Sequence, residues 1–411
     1  MIVNEILPHS LAGYFFPTGR IVAWVVAASW VWIVASAARG LPRIPNLLEA
    51  PFDGEPVGKP WITVIVPARD EGANVRACLE SLIAQDYAHL RVLAVDDRSN
   101  DATGTIMDAI ALAALERLEV LHIRELPPAW LGKTHAMAVA AKDAIARHAP
   151  DFLLFTDADV LYRSDAIRRS LAYAAASGAD HLVTVPTTII RRWDEAALLG
   201  FFQIFGMWGA RPWKVADPKA QRDAIGIGAF NMVRRTAYER IGGFEGQRMD
   251  ILEDLTLARR IKQAGLAQRI AFGRGLVSVH WASGVSGLIN VMTKNIFSAF
   301  RFHVSLTLLA CMWLAVFCAS PVVTLAYGPT RLPGAITLAA VACAYGLFQK
   351  TSGISAWNAL LSPIAAMVFI FTLLRSMGTT LRQGGVIWRG TFYSLAELRK
   401  NAAPLFGRSG K

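Results

Sequence analysis

Cysteine is scarce in this sequence. Its 411 residues hold four, Cys78, Cys311, Cys318 and Cys343. No two form a CxxC pair, and all but Cys78 lie in very apolar stretches, so neither a disulfide framework nor a zinc cluster is indicated. Charge is thin too: Asp, Glu, Lys and Arg make up 18% of the chain against 54% hydrophobic residues, and the mean hydropathy of +0.37 is high for a purely soluble protein. Part of the chain therefore belongs in lipid. The formal charge of +11 is scattered, without the aromatic and basic stripe of a nucleic-acid face. Nucleic acid is not an expected partner, whereas an anionic membrane surface or a phosphorylated substrate fits the same charge.

The apolar residues are concentrated in a few runs. IVAWVVAASWVWIVASAA (21–38) is about long enough to cross a bilayer as a helix. It lacks a small-residue cleavage site and runs into Arg39 and Arg43, which suits a retained anchor. Beyond residue 300, the stretches 305–327 and 333–349 read as a helical hairpin, and 355–374 as a third segment interrupted by Pro363. The expected division is an anchor at 1–45, a catalytic domain at 46–303, membrane helices at 304–376 and a basic tail at 377–411. WDEAALLGFFQIFGMWGARPWK (193–214) is apolar and Trp-rich with basic ends, as in a helix lying in the membrane interface. A buried core helix fits it as well.

Between the apolar runs, strand-like and helix-like pieces alternate: strands at 61–68, 91–97, 118–124 and 151–159, helices at 74–86, 101–114 and 133–147. Such alternation predicts an α/β fold with a mostly parallel sheet, in which ligands bind beyond the carboxyl ends of the strands. Each acidic cluster falls at such an end. FTDADV (155–160) places Asp157 and Asp159 one residue apart, on one side of an extended chain. Together they suit one hard cation, Mg2+ or Mn2+, whose remaining ligands would be water and substrate phosphate; a solvated acidic turn capped by Asp159 is the plain alternative. VDDRSND (95–101) offers Asp96 and Asp97 to a nucleobase or ribose, or simply ends a strand, with Asp101 capping the next helix. PARDEG (67–72) brings Asp70 and Glu71, for ligand contact or for capping.

WLGKTHAM (130–137) sets Lys133 at a helix start, where backbone amides and an ammonium attract phosphate. In MDILEDLTLARRIKQAG (249–265), Glu253 and Asp254 open a helix. The helix dipole explains carboxylates there; the chemical alternative is a general base, for which Asp254 is the first candidate and Glu253 the second. GIGAFNMVRR (226–235) is strand-like, and ERIGGFEG (239–246) is a Gly-rich turn.

The ordered set VIVPARDE, VDDRSND, LGKTHA, TDAD, GAFNMVRR…GGF and EDLTLARRIK, followed by membrane helices, resembles the family 2 glycosyltransferases with their nucleotide-binding GT-A fold. LPPAWLGKTHAM and GGVIWRGTFY (384–393) are most similar to membrane-bound bacterial enzymes of the hopanoid-associated and carotenoid-glycosylating type. The resemblance implies a nucleotide-diphosphate sugar donor, commonly a UDP-sugar, bound through Pro67, Ala68, Asp70, Glu71, Asp96 or Asp97, Lys133 and Asp157. It also implies a metal on Asp159 and Asp157 and an inverting displacement with Asp254 as base. HWASGVSGL stands where processive members carry QxxRW, so transfer of one or a few sugars is expected. His280 in that stretch fits a packed strand end better than a ligand to metal or diphosphate.

A lipid hydroxyl of isoprenoid or hopanoid type is the expected acceptor. Polyprenyl phosphate is the rival, and a non-catalytic nucleotide-binding scaffold is the reading from another class. Arg39, Arg43, Lys294 and Arg301 flank the spans on the catalytic side, which by the positive-inside rule faces the cytoplasm across an inner membrane. One conflict follows. Three crossings after residue 300 would put Arg375, Arg382, Arg389, Arg399 and Lys400 outside, so one segment must fail to cross; the stretch holding Pro363 is the suspect.

Overall fold

The computed structural model describes residues 9–114 and 116–401; residues 1–8 of the expected anchor and 402–411 of the expected tail lie outside them. After α1 (His9–Gly40) the chain runs β1 (Ile62–Ala68), α2 (Val75–Ile83), β2 (Leu90–Asp97), α3 (Thr103–Ala113), β3 (Leu118–Ile123), α4 (Gly132–His148), β4 (Phe152–Phe155), β5 (Val160–Tyr162) and α5 (Ala166–Ser177). It continues through β6 (His181–Thr184), β7 (Thr187–Thr188), α6 (Trp193–Gly209), β8 (Asn231–Arg234), α7 (Arg235–Arg240), α8 (Glu253–Gln263), β9 (Gln268–Ala271), β10 (Val277–Val279) and α9 (Gly284–Ala299). The last part holds α10 (Val304–Leu314), α11 (Ser320–Thr324), α12 (Arg331–Ser352), α13 (Ser362–Gln383), the strands β11 (Gly385–Trp388) and β12 (Thr391–Ser394), and α14 (Leu395–Asn401).

Seven strands form the main sheet in the order β3-β2-β1-β4-β8-β6-β9, parallel except where β8 pairs with its two neighbours. All of β1 is buried, as expected of a strand covered on both faces. Its alternation sorts the core. Ile62, Val64 and Val66 meet Val92, Ala94 and Leu154 in one layer with α2, α3 and α5, while Ile65, Leu93, Val95, Leu153 and Phe155 pack on α4 and α8 in the other. The strand order reverses between β1 and β4. The crevice at their carboxyl ends is where such sheets bind ligands.

Among the described residues, four helices are long and apolar enough to cross a membrane, within Thr18–Arg43, Val304–Thr324, Gly328–Ser352 and Ala356–Gln383. The second is relaxed by a π-helical turn at Ala315–Ala319. Together with α6 and α9 they bury a separate core around Trp30, Phe201, Leu314, Tyr345 and Phe369. Here α6 is a packed helix and not a bare one: Leu198, Leu199, Phe201, Ile204 and Met207 are all buried.

Gly353, just after α12, packs against Arg274 of the β9–β10 loop. Near its C-terminal end α13 is tied to α9, where Ser376 bonds Thr293 and Phe297, and the hairpin that follows reaches Arg69 and Glu71. The stretch 355–374 changes character at Pro363: Ala356–Leu361 is a 3-10 helix, and the proline occupies the first turn of α13, where a missing N–H costs nothing.

Candidate active site

The loop after β1 is built by hydrogen bonds to the loop after β2. Asp70 adopts a positive φ of 54°; its carboxylate accepts from Asn100 N at 2.7 Å and its amide donates to Ser99 Oγ. Asp101 accepts from Gly72 N and from Thr103 N, both at 2.9 Å, the second being the first amide of α3. It stands one residue ahead of the cap position, Ala102, and ties the helix start to the neighbouring loop. Asp96 accepts from Ser99 N and pairs with His122 Nδ1 at 3.0 Å, while Asp97 takes the fork of Arg98 at 2.8 and 3.0 Å. His122 is held protonated to higher pH by Asp96 and then by Asp108. Both carboxylates are therefore internally paired, and a nucleoside would use their remaining lone pairs.

At the end of β4 the strand stops at Phe155, and the chain passes through Asp157 into a turn at Ala158 and Asp159, not the alternating strand anticipated. The buried methyl of Ala158 anchors that turn in the core. Thr156 Oγ1 and Tyr162 Oη both donate to Ala229 O, at 2.8 and 2.9 Å, and pull the loop 226–230 onto the strand end. This loop has no side chain to spare. A Cβ on Gly228 would lie 2.7 Å from Asp157 Oδ2, and one on Gly226 2.0 Å from the Asp254 carbonyl oxygen. Of the strand-like stretch 226–235, only Asn231–Arg234 pairs as a strand.

Lys133 Nζ lies 2.6 Å from Asp157 and 2.6 Å from Glu253, joining the starts of α4 and α8 to the end of β4. Burial lifts the Glu253 carboxyl to about 7 even against that ammonium. Asp254 has no ion-pair partner among the described residues; Leu255 N donates to it at 2.7 Å, and burial again raises its pKa. Asp159 is pushed up to about 6 by desolvation and then by the charges of Asp157 and Glu71. Such crowding of negative charge is what a divalent cation relieves. Among the described residues no group of three or more metal-binding side chains is gathered. Asp157 and Asp159 would thus supply two ligands and leave the rest to phosphate and water, as Mg2+ and Mn2+ accept.

Residues 63–242 match the glycosyl transferase family 2. This region is a family 2 glycosyltransferase domain. A 4,4'-diaponeurosporenoate glycosyltransferase of Staphylococcus aureus is 23% identical over 348 residues, covering 82% of this chain and 89% of its own. A solved mannosyltransferase of Pyrobaculum calidifontis, in complex with GDP-Man and Mn2+, superposes with a TM-score of 0.53 at 20% identity, over 89% of this chain and 99% of its own. The chain is a glycosyltransferase, and its α/β domain with apolar helices has the GT-A fold.

Within this glycosyltransferase, Lys133, Asp157, Glu253 and Asp254 are brought together, with Asp159 and Glu71 close enough to influence one another's charge. Pro67 and Ala68 are buried in β1, in register with Val95 and Asp96. His280 stands apart: Nε2 lies 3.5 Å from Glu195, a buried carboxylate that accepts from the amides of Arg191, Arg192 and Gly284. Sequence reasoning overlooked Gly226, Gly228 and His122. It also missed the strands β11 and β12, whose tip Arg389 pairs with Glu71 and whose Tyr393 Oη accepts from Gly132 N at 3.2 Å. An Arg-Gly turn between alternating residues was the signal for that hairpin.

Proposed function

We propose that this glycosyltransferase moves a sugar from a nucleotide-diphosphate donor to the hydroxyl of a lipid of isoprenoid or carotenoid-like character, with inversion. The observation that carries the reading is the convergence of Lys133, Asp157 and Asp254 at the switch point of the sheet, beside helices apolar enough for a membrane. The diaponeurosporenoate enzyme, by its name, glycosylates a carotenoid acid, which supports a lipid acceptor. The Pyrobaculum enzyme holds GDP-Man and Mn2+, which supports a nucleotide-sugar donor and a divalent metal.

In this mechanism Lys133 and the start of α4 draw in the donor diphosphate, and Asp254 takes the proton of the acceptor hydroxyl as its oxygen bonds to the anomeric carbon. The bond from that carbon to the diphosphate breaks, and the nucleoside diphosphate leaves with the electron pair. A cation held by Asp157 and Asp159 would stabilise the charge on that leaving group. Glu253, tied to Lys133, orients the ammonium and is not the base. Arg39, Arg43, Lys294 and Arg301 favour a cytoplasmic catalytic side on an inner membrane.

The test is nucleoside-diphosphate release by detergent-purified protein from a panel of UDP- and GDP-sugars with Mg2+ or Mn2+, with and without membrane lipid. Lipid-stimulated release from one donor, lost in Asp159→Ala and Asp254→Asn, is expected. Nucleotide binding without release from any donor would favour a scaffold, and stimulation by polyprenyl phosphate alone would favour that acceptor.

A further inference from the structure

We propose that Arg389, at the tip of the β11–β12 hairpin, is a donor-positioning residue that binds the diphosphate of the nucleotide-sugar. The inference rests on the donor reading above and deepens it. Two residues close the hairpin, Arg389 and Gly390, at φ values of 48° and 76°. That pairing of positive φ values marks a turn whose first position favours Asn, Asp or Gly. An arginine there occupies backbone space that non-glycine residues rarely adopt, and such outliers cluster where a side chain has a task.

The hairpin is seated for that task. Val386 and Tyr393 are buried against Leu131, Ile251 and Phe297, so its base rests on the residues just before Lys133 and Glu253. From there the tip reaches the loop after β1. Arg389 Nη1 donates to Arg69 O at 2.6 Å, its other nitrogen pairs with Glu71, and Arg69 Nη1 donates to Thr391 Oγ1 at 3.3 Å. The Arg69 Nε is buried without a hydrogen bond among the described residues, its nearest carboxylate being Asp70 at 3.9 Å. Glu71 has a second partner, Asn74 Nδ2 at 3.0 Å, so it stays anchored when Arg389 turns to an anion. Lys294 of α9 lies close enough to feel the charges of both Arg389 and Glu71. A site crowded with carboxylates thus receives its extra cations from elements outside the sheet, and a guanidinium suits a diphosphate because its fork takes two oxygens at once.

The experiment uses the full-length protein in detergent. Binding of UDP and GDP with Mn2+ is measured beside UMP and GMP for wild type, Arg389→Gln and Arg389→Lys, together with donor KM and the thermal midpoint. Arg389→Gln is expected to weaken diphosphate binding and raise donor KM by about 10- to 100-fold, the range of a charge-assisted hydrogen bond. Monophosphate binding and the midpoint stay near wild type, and Arg389→Lys falls between. Unchanged diphosphate affinity in Arg389→Gln would overturn the proposal, as would equal weakening of mono- and diphosphates, which marks a merely structural tie. If wild type binds neither UDP nor GDP, the donor reading itself fails and takes this inference with it.

Discussion

The ammonium of Lys133 lies 2.6 Å from the carboxylate of Asp157. A group at the start of α4 therefore holds in place the group at the end of β4 that the proposed metal needs, and its second bond, to Glu253, fixes α8 as well.

Removing that ammonium should separate folding from chemistry. Lys133→Met leaves Glu253 buried without its counter-charge, a loss on the order of 2–3 kcal/mol, at the low end for a broken pair because Asp157 keeps some solvent. Lys133→Met/Glu253→Gln should recover much of the thermal midpoint but none of the turnover. Recovery of both would reduce Lys133 to a structural role.

Asp254 and Glu253 should part company in kinetics. Asp254→Asn is expected to lower kcat by about 10²- to 10⁴-fold with donor KM little changed, the range for loss of a general base. Glu253→Gln should instead raise donor KM through a misplaced Lys133. A KM effect in Asp254→Asn with kcat intact would move Asp254 to binding.

The glycine loop offers a graded pair. Gly228→Ala brings its methyl within 2.7 Å of Asp157 Oδ2, a side chain that can yield, whereas Gly226→Ala meets the Asp254 carbonyl oxygen at 2.0 Å, which is backbone. The first should fold normally with weakened Mn2+ binding. The second should unfold at lower temperature, and equal midpoints for the two would contradict this geometry.

A fully buried histidine should make the domain acid-sensitive. His181 Nε2 donates to Asn231 Oδ1, its Nδ1 accepts from Gln268 Nε2 at 2.8 Å, and burial pushes its pKa down to about 4. The unfolded chain, with an ordinary histidine near 6.5, takes up the proton first. Stability is therefore full above about pH 6.5 and falls as pH drops towards 4, by up to about 3 kcal/mol. His181→Gln, measured by thermal unfolding at pH 7 and pH 5, should be less stable at pH 7 yet flatter between the two. A wild-type midpoint that ignores pH would refute it.

Strand ends and helix starts were readable because local chemistry sets them. The β-branched run at 62–66 can only be a covered strand, and Asp157 and Asp254 sit where the periodicity breaks. Pairings across the chain carry no such mark. Lys133 and Glu253 each suggest a helix start, but nothing in either stretch says that they touch. Asp96 and Asp97 read as ligands or as a plain strand end, and their partners His122 and Arg98 are set only when β2 lies beside β3 and the loop after β2 turns back.

Glu71 and Arg389 stand 318 positions apart. Among the described residues, three of the four apolar helices lie between Glu71 and Arg389 in the chain. Their contact closes a loop through the apolar bundle, so a shift of those helices against the sheet would pull the hairpin off the loop after β1. On the role proposed for Arg389, the nucleotide crevice and the apolar helices form one mechanical unit.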